Sequence, residues 1–308
     1  MRFTIPARKP FNFLSVVNSH GWRQLAPFSY DELTNTLSYV LRLSTGRVIE
    51  LKFHDATDGV LVEAEKLDKL EKKEVVDTVT WMFGLDLDFS RFYSAARGEP
   101  KLARAKKLSL GRLLRAPTLF EDVVKTILTT NTLWAATRNM TRKLVDEFGE
   151  PLNPAGRVAP NDSEGRTETS NSQPKAFPTL EAIAASTPDY IKEKIRVGYR
   201  APAIHQLAVR VASDQLDLES LKAADMPTLD LRRELMRING VGPYAAANLL
   251  MLLGRHDFIP IDSSALAVVS QEWYRGGPVT GKEVEKHFAK WGEFKGLAFW
   301  FWDWKADQ

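Results

Sequence analysis

The run Leu235-Met-Arg-Ile-Asn-Gly-Val-Gly-Pro-Tyr-Ala-Ala-Ala-Asn-Leu-Leu-Met-Leu-Leu-Gly254 decides the fold. Its spacing predicts a helix that ends at Ile238, a turn through Asn239-Gly240-Val241-Gly242, and an apolar helix from Pro243. Glycine at 240 and 242 lets the turn take positive φ and lets another backbone come close. Pro243 suits a first helical turn, where its missing N–H costs nothing. The small-then-large run Ala245-Ala-Ala-Asn-Leu-Leu250 can pack tightly on a partner helix. A glycine turn between two helices presents backbone N–H groups to a phosphate. Alone, such a turn is also an ordinary corner of a helical bundle.

The segment Phe258-Ile-Pro-Ile-Asp262 then sets one carboxylate at the mouth of a third helix, Ser263-Ser-Ala-Leu-Ala267. Asp262 is a good N-cap there. The same position holds its carboxylate at the positive end of a helix dipole, which favours the ionised form. A fixed anion can stabilise developing positive charge and can orient or deprotonate a water.

Composition bounds the partners. The chain has 308 residues, 44% hydrophobic and 26% charged, enough for a sizeable core and a prior of two domains. A net charge of +3 and a pI near 8.9 permit nucleic-acid binding without demanding it. There is no cysteine, which excludes disulfides, thiolate zinc sites and an iron–sulfur cluster. The five histidines show no metal-ligand spacing. No apolar run reaches the ~18 residues of a membrane span, and no signal-peptide pattern is visible. An intracellular protein is expected, in cytoplasm or nucleoid, or in the nucleus of a eukaryote, with no membrane partner. Eight Trp and sixteen Phe are many for this length, and Trp300-Phe-Trp-Asp-Trp304 stands out.

Organisation divides near residue 100. Tyr39–Leu43, Arg47–Phe53 and Val60–Ala64 alternate as strands, with turns at Ser44–Gly46 and Asp55–Gly59. Tyr30 to Thr36 is expected to be helical. From Lys69 the spacing becomes helical, over Lys69–Phe83 and Asp88–Ala96. Helices are expected from Thr118 as a cap through Leu128, over Leu133–Phe148 with Gly149 as the stop, and over Pro178–Ala182, Pro188–Arg196, Ala203–Ser213 and Met226–Ile238. The stretch 151–175 is rich in Pro, Gly, Ser, Asn and charge, and is predicted to be a flexible insertion. The expected fold class is mainly α, with an N-terminal α+β domain (1–100) built on a small antiparallel sheet. The rest (101–308) is a helical domain carrying the helix-hairpin-helix, with the C-terminal helix packing back on the first domain.

Together, the hairpin and the Pro-Asp segment resemble the helix-hairpin-helix/GPD superfamily of base-excision DNA glycosylases. Two further segments extend the resemblance. Pro117-Thr-Leu-Phe-Glu-Asp-Val-Val-Lys-Thr-Ile-Leu-Thr-Thr-Asn131 is similar to the helix that leads into the DNA-invading loop. Gly198-Tyr-Arg-Ala201 and the N-terminal meander are similar to the 3-methyladenine (AlkA-like)/8-oxoguanine branch. The likeness covers nearly the whole chain except 151–175.

The resemblance implies roles residue by residue. Asp262 would be catalytic. Gly240, Val241 and Gly242 would hold the DNA backbone. The carbonyls of Met236, Ile238 and Val241 would coordinate a monovalent cation, Na⁺ or K⁺, beside a phosphate; no other cofactor is required. Asn131 would fill the gap left by a flipped nucleotide, Tyr199 would wedge into the neighbouring step, and Arg200 would contact the orphaned base. Arg138, Lys143 and Arg237 would add charge to the grip on DNA.

This sequence departs from the family at two places. Tyr244 stands where bifunctional members carry a lysine, and a tyrosine cannot form their Schiff base. At the C-terminus, Phe299 replaces a glutamine expected to read a purine edge, and Asp303 falls where an aromatic is expected to stack. The pocket candidates are therefore Tyr244, Trp134, Phe299, Trp300 and Trp302, an aromatic set suited to an electron-poor alkylated purine. The expected protein is a monomeric, monofunctional DNA N-glycosylase acting on damaged double-stranded DNA. The alternatives are a non-catalytic helix-hairpin-helix protein that binds DNA structure or damage, and an 8-oxoguanine-type glycosylase.

Overall fold

A computed structural model describes residues 1–152, 173–302 and 304. Five strands form one antiparallel sheet: β1 (Arg2–Pro6), β2 (Phe28–Asp31), β3 (Thr36–Arg42), β4 (Val48–Ala56) and β5 (Gly59–Glu63), in the order β1-β5-β4-β3-β2. Alternation sets the register. Leu37, Tyr39 and Leu41 of β3 face Phe53, Leu51 and Ile49 of β4, and all six are buried. The segment Tyr30 to Thr36 is not helical. Asp31 caps a turn by accepting from the Leu33 N–H at 2.9 Å and the Thr34 hydroxyl at 2.7 Å, and Asn35 takes φ 51°. That local Asx chemistry outweighs helical spacing and closes the β2–β3 hairpin. Strand β1 pairs with β5 from Arg2↔Glu63 to Pro6↔Gly59, and no sequence pattern pointed to it.

The described helices are α1 (Phe13–Val17), α2 (Lys69–Phe83), α3 (Ser90–Ala95), α4 (Leu119–Thr129), α5 (Trp134–Phe148), α6 (Leu180–Ala184), α7 (Pro188–Ile195), α8 (Ala201–Ala212), α9 (Thr228–Met236), α10 (Pro243–Leu252), α11 (Ser263–Tyr274), α12 (Gly281–Phe288) and α13 (Lys295–Trp300). The molecule is thus mainly helical with a small N-terminal antiparallel sheet. Most of the insertion, 153–172, lies outside the described residues. Its ends meet in a bridge between Pro151 and Lys175, with the Leu152 N–H donating to Pro174 O at 2.7 Å.

Helix α4 is the axis of the fold. Thr118 caps it, accepting from the Glu121 N–H at 3.2 Å, and every residue from Leu119 to Leu128 is buried. Its acidic first turn therefore faces inward. The Glu121 carboxylate accepts from the Tyr39 hydroxyl of β3 at 2.6 Å and lies 2.6 Å from Lys125 Nζ. Burial pushes the Glu121 carboxyl up, and the Lys125 ammonium pulls it back. Lys125 Nζ also sits over the Phe28 ring, 4.7 Å from its centroid. This buried ion pair joins the sheet to the helical layer.

The aromatic C-terminus is not one helix. Gly292 takes φ 53°, residues Ala289–Phe294 form a 3₁₀ turn, and the α-helix is only Lys295–Trp300. Its start packs against the N-terminal part of the chain: the Phe92 and Phe294 rings lie 6.0 Å apart, and Lys290 bonds to Glu99 at 2.8 Å. The hydrophobic core is continuous across residue 100, running from the sheet to the C-terminal helices.

Candidate active site

Helices α9 and α10 form the hairpin. Helix α9 stops at Met236, two residues before the predicted end, because Arg237 and Ile238 make tighter i→i−3 bonds to Glu234 and Leu235. Gly240 has φ 85°, which favours glycine, and a Cβ there would crowd Ala203 Cβ of α8 at 3.0 Å. Gly242 has ordinary extended backbone (φ −88°, ψ −175°), and an added Cβ would meet nothing. Nothing among the described residues demands glycine at 242. Val241 is buried, and its N–H donates to Ile238 O at 3.0 Å.

Pro243 opens α10 and aims Tyr244 into a cavity of about 350 Å³. Asp262, the N-cap of α11, lines the same cavity, together with Trp134 at the start of α5 and Trp300 at the end of α13. Asp262 Oδ1 accepts from the Ala265 N–H at 2.9 Å. Burial, and then the Asp262 charge, push the Tyr244 phenol up, while Asn248 and Thr129 pull it back by hydrogen bonding. The Trp134 indole N–H donates to Gln24 Oε1 at 2.8 Å, and that of Trp300 donates to Ser19 O at 2.9 Å. Both rings are therefore held from the N-terminal segment.

Two expected pocket residues lie elsewhere. Trp302 packs against Trp273, Phe288 and Trp291, with ring centroids 5.2–5.4 Å away. Phe299 packs edge-on to Phe288 at 5.7 Å. Neither lines the cavity. Phe299 precedes Trp300 by one residue on α13, about 100° round the helix, so with Trp300 facing the cavity Phe299 faces Phe288, and Trp302 lies past the helix end in the same aromatic cluster. Asp303, the other position compared there, lies outside the described residues.

Asn131, Tyr199 and Arg200 come together beside the cavity, which Thr132 borders. Asn131 takes φ 47°, an uncommon conformation for a residue with a side chain. Its amide donates to the Tyr199 hydroxyl at 3.3 Å. Tyr199 is 65% exposed and Leu133, two residues past Asn131, is 81% exposed. Arg200 differs from expectation: it is only 7% exposed, and its guanidinium donates to the carbonyls of Val197, Thr130 and Asn131.

Sequence reasoning missed the contribution of His20-Gly21-Trp22, all three of which line the cavity. A Cβ on Gly21 would lie 2.1 Å from the Trp134 ring, so the ring rests directly on the backbone. His20 Nδ1 accepts from the Trp22 N–H at 3.3 Å, and Nε2 faces Leu114 O at 2.6 Å. That fixes the neutral Nε2–H tautomer, and burial lowers the imidazole to about 4. His20 is a wall rather than an acid or base. No local pattern announces these residues, because their partners lie on α4, α5 and α13.

The Trp22 indole donates to Asp122 Oδ1 at 2.7 Å, and the Ala116 N–H donates to the same oxygen at 3.0 Å. Asp122 Oδ2 is buried with no hydrogen-bond partner among the described residues. Burial raises this carboxyl from 3.8 to about 7, against those two bonds. Below pH 3.8 it is protonated in folded and unfolded chains alike. Between 3.8 and about 7 only the unfolded chain loses the proton, so this group weakens the fold as pH rises, levelling above about 7. Asp122→Asn keeps the acceptor and removes the charge. Urea unfolding should show the variant matching the parent near pH 4 and exceeding it by roughly 4 kcal/mol at pH 8. A difference that stays constant with pH would contradict this assignment.

The model of the HhH-GPD superfamily of base excision DNA repair proteins matches residues 124–294, more than half of the chain. The chain belongs to that superfamily. It is 25% identical over 208 residues to the DNA-3-methyladenine glycosylase of Bacillus subtilis, covering 67% of this chain and 63% of the relative. It is 22% identical over 250 residues to the N-glycosylase/DNA lyase of Saccharomyces cerevisiae, covering 70% of this chain and 62% of that one. The chain thus spans under two thirds of the length of these curated relatives. In fold it is similar to the 3-methyladenine DNA glycosylase from Archaeoglobus fulgidus, with a TM-score of 0.70 at 19% identity, covering 98% of this chain and 97% of the other.

Proposed function

We propose that the protein is a monofunctional DNA N-glycosylase of base excision repair, acting on an alkylated purine such as 3-methyladenine in duplex DNA. One observation carries the reading: the N-cap carboxylate of Asp262 shares an aromatic-walled cavity with Tyr244, at the position where a Schiff-base lysine would stand. The B. subtilis relative, named for 3-methyladenine, favours that substrate class over 8-oxoguanine.

The hairpin amides and Gly242 face a DNA phosphate, and the target nucleotide swings out into the cavity. Trp134, Trp300 and Tyr244 sandwich the base, and cationic alkylated purines stack well on such faces. Asn131 and Tyr199 take the vacated space in the duplex. As the N-glycosidic bond breaks, the base leaves with the bonding electrons and Asp262 stabilises the positive sugar. A water adds to C1′, and Asp262 takes its proton, leaving an abasic strand. The Met236, Ile238 and Val241 carbonyls would hold a monovalent cation beside the phosphate. The Ile238 carbonyl already accepts from Val241 N–H, and its second lone pair suffices. Among the described residues no helix is long and apolar enough to cross a membrane.

No lysine lines the cavity among the described residues, and Lys125 beneath it is bound to Glu121. Borohydride is therefore expected to trap no covalent adduct between the protein and lesion DNA. A trapped adduct would show that an amine attacks the sugar and would overturn the monofunctional reading.

A further inference from the structure

We propose that Arg200 is a positioning residue that holds the stack-filling loop in shape, and that the protein consequently does not discriminate the base opposite its lesion. This rests on the DNA-binding part of the reading above. Three observations carry it. Arg200 is buried, and its guanidinium donates to Thr130 O, to Val197 O at 3.2 Å and to Asn131 O at 3.4 Å. The same guanidinium lies 4.6 Å from the centroid of the Tyr199 ring, capping its face. Asn131, between these anchors, holds φ 47°, and its amide reaches the Tyr199 hydroxyl at 3.3 Å.

The chemistry follows from this wiring. A strained backbone persists only where its surroundings over-determine it. Here one planar cation ties together the carbonyls on both sides of the Asn131 Cα, the Val197 carbonyl just before Gly198, and the wedge ring. The stack-filling residues are thus assembled before DNA arrives. For the guanidinium to reach an orphaned base, it would take from Thr130 O and Asn131 O the donor they have here, while Val197 O would keep only the Arg200 backbone N–H at 3.3 Å. Nη1 and Nη2 are turned onto these carbonyls and Nε is buried without a partner among the described residues, so no charged fork faces the opposite strand from this position. Asn131 and exposed Tyr199 and Leu133 face it instead, and stacking is tolerant of base identity.

The experiment measures binding of the full chain to four duplexes that carry a tetrahydrofuran abasic analogue opposite A, C, G or T. Excision of one alkylated purine opposite the same four bases is measured in parallel. The parent is expected to bind all four within about threefold. Arg200→Lys, which keeps the charge but loses the fork, should weaken all four by the same factor, about tenfold, matching one to two lost hydrogen bonds. A 2-aminopurine beside the gap should then report a less completely filled stack. A parent that prefers one opposite base by tenfold or more overturns the proposal, as does a Lys variant that erases such a preference. A parent that binds none of the duplexes overturns it too. Should Arg200→Lys not fold, the parent panel decides alone. Binding to all four without excision contradicts the glycosylase reading and leaves the positioning role standing.

Discussion

Asp262→Asn is expected to cut base release by about 10²–10³-fold or more while leaving affinity for abasic DNA within twofold. The substitution separates two roles that coincide in one side chain. Asparagine caps a helix as well as aspartate does, so the bond that Oδ1 accepts from the Ala265 N–H survives and α11 stays in place. Only the negative charge is lost. Stability of the fold should therefore change little, and single-turnover excision should collapse. An Asp262→Asn variant that excises at the parent rate would reduce Asp262 to a cap and remove the chemistry from this cavity.

The second large effect falls on the buried pair beneath the site. Glu121→Ala should destabilise the protein by roughly 3–5 kcal/mol, measured by urea unfolding, because it strands the Lys125 ammonium in the core. Lys125 is fully buried and Glu121 is 1% exposed, so neither charge is screened by solvent. The Tyr39 hydroxyl loses its acceptor in the same step. Replacing both partners, as Glu121→Leu with Lys125→Met, should recover most of the loss, since an apolar pair of similar volume tolerates this environment. A single variant that costs under about 1 kcal/mol would show that water reaches the pair or that α4 shifts to expose it. Because α4 leads into Asn131 and carries Thr126 and Thr129 of the cavity wall, the single variant should also loosen the site.

Much of the fold was legible in the sequence because its signals are local. The glycine-proline punctuation from Gly240 to Pro243, the Thr118 cap and the alternation in β3 to β5 each depend on neighbours along the chain. Where distant partners decide, sequence reading fell short. Strand β1 exists because β5 offers it an edge. The β2–β3 hairpin is a local exception, where Asp31 and Asn35 close a turn within a stretch of helical spacing. No local pattern told that the acids of α4 face the core, where Tyr39, Trp22 and Lys125 receive them.

The candidate site divides the same way. Asp262, Tyr244 and Trp134 sit at helix starts, where motif spacing fixes which way a side chain faces, and the structure brings them to one cavity. Phe299 shares α13 with Trp300 but points about 100° away, and Trp302 lies past the helix end, so both join the rings of Trp273, Phe288 and Trp291 instead. His20, Gly21 and Trp22 reach the cavity only through tertiary contacts, so nothing in their local pattern could single them out. Arg200 illustrates a third case: motif position suggested an exposed contact, and the carbonyls around it supply a buried role.

Hydrolysis of the glycosidic bond without strand cleavage can be read in one sample. A duplex carrying a single alkylated purine is incubated with the protein, and free base and strand integrity are measured together. Stoichiometric release of the base is expected, with the strand intact until hot alkali is added. No base release, or a strand already nicked before alkali, would rule out monofunctional hydrolysis at Asp262.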